Sequence, residues 1–356
     1  MLRSGYGSGP GCHCAETEDF RTNAERLTVL QSPRLFKHWC GSDRYVAVIP
    51  LARGDSLVGL GVLPLNARTP LSASALCRQL VVALIALVAI GGATRVMQAG
   101  LACPDWPLCY GTLLPARQMN LQVFLEWFHR LDAFLVGIGL IVLLALSLLD
   151  RLHQPRWLPW LSGAALLLVA LQGALGALTV TQLLRFDIVT AHLATALLLV
   201  ALLSAAATLL QPIPAGSRPR AGAPLAALAG LLIYLQCIAG ALMATQWASG
   251  RCLRLAQGCA WLSAHRALAT PVAAVALISV LVVLAQPSAP VVRRLFSFAG
   301  LLVVAQVLLG VLTLRLALAE PLVTVAHQLI AALLIATFPA AALSLRPSSL
   351  PASSHG

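Results

Sequence analysis

Charged side chains are scarce in this chain. Asp, Glu, Lys and Arg make up 10% of its 356 residues, against about 25% in a soluble globular domain. Most of the surface must therefore face something other than water. No signal-peptide pattern of basic start, short apolar core and small-residue cleavage site opens the sequence. The net charge of +12 is not organised for nucleic acid. The basic residues are scattered singly, with no basic stripe interleaved with aromatics, which excludes a nucleic-acid partner. Asp-rich motifs that would hold a diphosphate through magnesium are missing, which excludes a prenyltransferase. The long apolar runs also lack the polar or broken midplane segments expected of a transporter.

What the chain has instead is hydrophobic residues, at 59%. They fall in runs of about 20, the length that crosses a bilayer's hydrocarbon core. Eight such segments are read at roughly 79–99, 122–149, 157–181, 187–210, 224–246, 261–285, 294–318 and 321–344. Helix is the state expected for each, because backbone polar groups in lipid must be satisfied within the segment. Gly91, Gly92, Gly173, Gly176, Gly240 and Gly310 punctuate them, and small residues let membrane helices approach closely.

An internal repeat is visible. Gln172, Gly176 and Thr179 recur 134 positions later as Gln306, Gly310 and Thr313. The fold class expected is an all-α integral membrane protein, with eight transmembrane helices arranged as two tandem pseudo-symmetric four-helix bundles. The organisation expected is a poorly ordered cytoplasmic extension over 1–76, a first bundle over 77–215, a second over 216–345 and a short tail over 346–356. Arg151, Arg156, Arg218, Arg220, Arg293, Arg294 and Arg346 lie between or after helices on one side, and nine Lys or Arg precede residue 79. The opposite loops carry Arg117, Arg185, Arg251, Arg254 and Arg315. This bias puts both termini inside.

Four of the eight histidines lie within the apolar segments, one in each even-numbered helix. His129 and His192 are 63 residues apart, His265 and His327 are 62 apart. Each sits about two turns from the outer end of its helix. Buried ionisable groups at one depth, repeated in a duplicated frame, point to a shared task rather than four separate hydrogen bonds. Two imidazoles facing each other across a bundle suit heme iron. A small ion such as zinc or copper would need three or four ligands in one shell. The pairs are His129 with His192 and His265 with His327. Arg130 and Arg266 each follow a histidine directly, where a guanidinium can hold a heme propionate or simply reach the headgroups.

Glu126 stands three residues before His129, on the same helix face. Leu262 takes the matching place before His265. One half thus has a carboxylate beside its histidine pair and the other does not. A carboxylate there can move protons, or it can merely orient His129. Cys103 and Cys109 lie between the first two helices, and Cys252 and Cys259 lie in the matching loop of the second half. Both loops are expected on the oxidising side, where each can close a small disulfide ring. Cys40, Cys77 and Cys237 read as free thiols, and Cys12-His13-Cys14 is too slight a set to read as a metal site.

At these residues the chain resembles the heme A synthase family. The carrying stretches are Gly91-Gly92-Ala93-Thr94-Arg95, Cys103-Pro104-Asp105-Trp106-Pro107-Leu108-Cys109-Tyr110-Gly111 and Glu126-Trp127-Phe128-His129-Arg130, followed by His192, His265 and His327. The likeness covers about residues 78–344, and residues 1–76 fall outside it. It implies oxidation of a methyl group of heme O to the formyl group of heme A, through hydroxylated intermediates, for a terminal cytochrome oxidase. It implies His129 and His192 as ligands of the substrate heme O, with Glu126 in the reaction, and His265 and His327 as ligands of a heme b cofactor. The partners implied are a heme O synthase as donor, an electron acceptor and the lipid bilayer, with a homo-oligomer compatible. The location implied is a bacterial cell membrane, or alternatively the mitochondrial inner membrane. The rival reading is a di-heme b electron carrier that uses the same histidines without substrate chemistry.

Overall fold

A computed structural model describes residues 45–53, 56–65, 72–212, 222–248, 260–317 and 319–346. Cys12, His13, Cys14, Cys40, Arg218, Arg220, Arg251, Cys252, Arg254 and Cys259 lie outside the described residues. So do residues 347–356, which hold nearly all of the expected tail.

Two stretches within residues 1–76 are described as strands. Strands β1 (Tyr45–Arg53) and β2 (Ser56–Leu65) pair antiparallel, Tyr45 opposite Leu65 and Val48 opposite Val62, with an irregularity between Pro50 and Ala52. Runs such as Tyr45-Val46-Ala47-Val48-Ile49 carry β-branched and aromatic residues, which fit a pleated surface. This hairpin belongs to a unit of its own, separate from the helical unit that begins at Leu71. The first helix also starts early, at Ala73, because Ser72 caps it: its hydroxyl accepts the Ala75 N–H at 3.1 Å.

The helical unit contains α1 (Ala73–Val96), α2 (Leu121–Leu149), α3 (Leu158–Thr181), α4 (Phe186–Leu209), α5 (Gly222–Ala248), α6 (Ala260–Leu284), α7 (Pro290–Arg315) and α8 (Pro321–Ser344). All eight are long and apolar enough to cross a membrane. A helix of 24 residues spans about 36 Å, more than a hydrocarbon core of about 30 Å. Their starts follow local chemistry. Asn120 Oδ1 accepts the Val123 N–H at 3.0 Å to cap α2. Proline opens α3, α7 and α8 within the first turn, where no intrahelical N–H is needed.

The packing has the order of the repeat. α1 packs on α2, α2 on α3, α3 on α4 and α4 back on α1. α5 to α8 close a second ring in the same way. Between the rings, α4 meets α5, α1 meets α8, and α4 meets α8. Exchanging the halves turns the first of these contacts into the second and the third into itself.

Polar contacts lock this seam. The Ser204 hydroxyl donates to the Ala336 carbonyl at 2.5 Å, the Tyr234 hydroxyl donates to the Ala194 carbonyl at 3.1 Å, and Thr190 and Thr245 share a bond of 3.4 Å. Arg346 donates to the Thr208, Leu209 and Gln211 carbonyls, at and just past the end of α4. Phe296 and Phe338 are fully buried in one apolar core that draws on both halves. Outward faces carry Leu149, Trp160, Leu167 and Leu322, as a surface bathed in lipid requires.

Candidate functional site

The four helix histidines fall between the sixth and ninth residue of α2, α4, α6 and α8. They therefore share one depth, toward the end that bears the α1–α2 loop. Each ring lies over a glycine of the helix before it. A methyl group placed on Gly91 would come within 2.8 Å of His129 Cε1. On Gly240 it would reach 2.9 Å from His265 Cε1, and on Gly310 3.0 Å from His327 Cε1. Gly176 is looser, at 3.5 Å from His192 Cε1. The glycines expected only to let helices approach are thus the floors on which the imidazoles rest. A methyl group on Gly173, grouped with them in the sequence, would meet nothing within 4 Å.

The His129 and His192 rings have centroids 6.5 Å apart and planes at 76°. A metal bound to one nitrogen of each ring at about 2 Å fits in that span. His129, His192 and His327 each keep a buried Nδ1 with no hydrogen-bond partner. Orphaned buried polar atoms are uncommon, and on facing imidazoles they suit ligation. Among the described residues, no three His, Cys, Asp or Glu side chains converge as a small ion needs. Pairs of imidazoles at the bundle core fit heme.

Glutamines brace some of these histidines. Gln236 Nε2 lies 3.1 Å from His265 Nδ1 and donates to the His265 carbonyl at 2.7 Å. Gln306 Nε2 lies 3.4 Å from His327 Nε2. Gln172 instead donates to the His192 carbonyl at 2.8 Å and to Thr195 Oγ1 at 2.6 Å. Each glutamine stands four residues before its glycine, and in α1 that place is Leu87.

Glu126 is buried, at 4% exposure. Its Oε1 pairs with Arg130 Nη2 at 2.5 Å and its Oε2 accepts the Cys103 N–H at 2.8 Å. Arg130 Nη1 donates to the Asp105 carbonyl at 2.7 Å and also to the Leu108 carbonyl. Glu126 and Arg130 together bolt the α1–α2 loop onto α2.

Cys103 and Cys109 form a disulfide with Cα atoms 4.8 Å apart. Inside this ring Asp105 accepts the N–H of Gly111 at 2.8 Å and of Tyr110 at 2.6 Å, which holds its carboxyl below the usual range. Gly111 has φ +69° with open space around its Cα, so glycine serves the turn there and not the packing. Trp127 Nε1 donates to the Leu113 carbonyl at 2.6 Å and ties down the loop's far side. Arg266, the counterpart of Arg130, is exposed. Arg95, the last residue of the Gly91–Arg95 stretch, is half-buried one turn beyond Gly91. Cys77 and Cys237 are free thiols, as expected.

The profile of the COX15-CtaA family, described as cytochrome oxidase assembly protein, matches residues 75–338. The chain belongs to that family. It is also similar to individual proteins named heme A synthase. The one from Shewanella oneidensis is 36% identical over 134 residues, covering 33% of this chain and 39% of the relative. The one from Rhizobium rhizogenes is 30% identical over 197 residues, 46% and 53% of the two chains. The one from Alkalihalophilus pseudofirmus is 38% identical over 72 residues, 20% and 24% of the two chains. The chain thus matches about half the length of these relatives, or less. The family match covers all four histidines, Glu126 and the Cys103–Cys109 loop, and it makes the chain a multi-pass membrane member of a cytochrome oxidase assembly family.

Proposed function

We propose that this chain is a heme A synthase, which takes heme O as substrate and oxidises a ring methyl to the formyl group of heme A through hydroxylated intermediates. The observation that carries the reading is the inequality of the two halves. Both offer a histidine pair seated on glycines. The first sets a buried carboxylate one turn before its leading histidine, and the second has Leu262 there. Two like pockets with unlike chemistry suit one that reacts and one that serves. The likeness to proteins named heme A synthase supports the same reading.

In this account His129 and His192 ligate the substrate heme, and His265 and His327 ligate heme b. Bound heme iron supplies the redox chemistry for the C–H bond. Glu126 orients the loop end of the first pocket and handles a proton there. Arg95 and Arg266 are the stronger candidates for propionates. Arg130, proposed for the same role, already directs its nitrogens to Glu126 and two loop carbonyls. The histidine end of the bundle faces the oxidising side and both termini face the cytoplasm, in a bacterial cell membrane or a mitochondrial inner one. A heme O synthase delivers the substrate.

The test is made on the purified full chain with its heme. His265→Ala and His327→Ala each abolish the heme b spectrum. Full heme b in both variants contradicts the assignment.

A further inference from the structure

The repeat that duplicates the histidines does not duplicate their surroundings. In the second half both imidazoles touch a glutamine amide, Gln236 for His265 and Gln306 for His327. In the first half neither ring does. Gln172 is turned to the His192 backbone and to Thr195, and α1 offers Leu87 in the matching place. Gln236 and Gln306 also share an anomaly: each keeps a buried Oε1 with no hydrogen-bond partner. A buried amide oxygen without a donor is costly, and the same amide stands beside an imidazole.

A neutral imidazole that gives one nitrogen to a metal carries its proton on the other. That N–H needs an acceptor, and supplying one fixes the ring and makes it a better ligand. We infer that Gln236 and Gln306 are positioning residues that make the second pocket the retaining one. A tilt of each amide lets its unpartnered oxygen accept the ring N–H of the ligated histidine. The first pocket offers neither ring a glutamine amide, so it holds its heme exchangeably, as a substrate site must. The inference rests on the assignment of heme b to the second half.

The test uses the full chain, purified with its heme, in Gln236→Leu, Gln306→Leu, Gln236→Glu and Gln306→Glu forms. Leucine removes the amide and suits an apolar helix, and glutamate keeps an acceptor oxygen. The readouts are the rate of heme b loss to excess apomyoglobin and the low-spin electron paramagnetic resonance signal of the ferric heme. Each leucine variant is expected to lose heme b about 10-fold faster or more with a shifted signal. Each glutamate variant is expected to stay near the wild-type rate. The reciprocal Leu87→Gln change is expected to slow release of heme from the first pocket. Wild-type loss rates and signals in both leucine variants, while His265→Ala and His327→Ala lose heme b, overturn the brace alone. Retention of heme b in the histidine variants overturns the pocket assignment beneath it.

Discussion

Gly91, Gly240 and Gly310 leave the neighbouring imidazole no room for a methyl group, while Gly176 leaves ordinary contact distance. The difference makes a graded prediction. Gly240→Ala and Gly310→Ala should displace their rings and lower heme b occupancy several-fold. Gly176→Ala should leave the His192 side close to wild type. Absorbance of the purified variants measures both, and equal loss in all three would contradict the seating of rings on glycines. Glu126 makes a second prediction. Glu126→Ala strips the partner from half-buried Arg130 and from the Cys103 N–H, and leaving such a charge-assisted hydrogen bond unmade costs about 1.5–3 kcal/mol. Glu126→Gln keeps an oxygen for Cys103 and should fold better. Both should keep heme b and stop product formation. Turnover at the wild-type rate in Glu126→Gln would reduce Glu126 to a bolt for the loop. The histidines and Glu126 could be read from sequence because their residue types are rare in apolar helices, and Cys103 and Cys109 because they stand close together in one loop. The braces could be found only by their spacing. Gln172 and Gln306 stood out as a repeat, but the same four-residue step to glycine in Gln236–Gly240, and its loss in Leu87–Gly91, has no chemical sense until the rings are seen above it.

At the scale of elements, the α1–α2 loop is a small folded unit rather than a tether. The disulfide closes it, Asp105 orders its turn, and Glu126, Trp127 and Arg130 fasten it to α2. Removing the cross-link frees a ring of a size worth about 2 kcal/mol in the unfolded ensemble. The Cys103→Ser, Cys109→Ser double variant should therefore raise hydrogen exchange across residues 103–113 and lower product formation. It should leave heme b in the second half untouched. Unchanged exchange in the loop would mean that the polar contacts suffice without the disulfide. Sequence gave the helices their number and places, because twenty apolar residues have one stable state in lipid. It missed the start of α1 by several residues, since the Ser72 cap lies outside the apolar run.

For the whole molecule, the helix contacts keep their pattern when the halves are exchanged, as the sequence repeat suggests, with α4 and α8 in contact between them. Arg346 joins the halves by donating to three carbonyls at the end of α4, and hydrogen bonds from a charged group contribute about 1.5–3 kcal/mol each at most. Arg346→Ala should lower the thermal midpoint of the purified protein with its heme sites intact, and an unchanged midpoint would remove Arg346 from the seam. Symmetry of backbone with asymmetry of side chains is the property on which the functional account stands, and it is tested most directly by product. Cells that make heme O, through a co-expressed heme O synthase, are compared with and without this chain, and their hemes are extracted, separated and identified by mass. The account predicts heme A only where this chain is present. Unchanged heme O alongside a folded, heme-loaded protein would contradict it and favour an electron carrier.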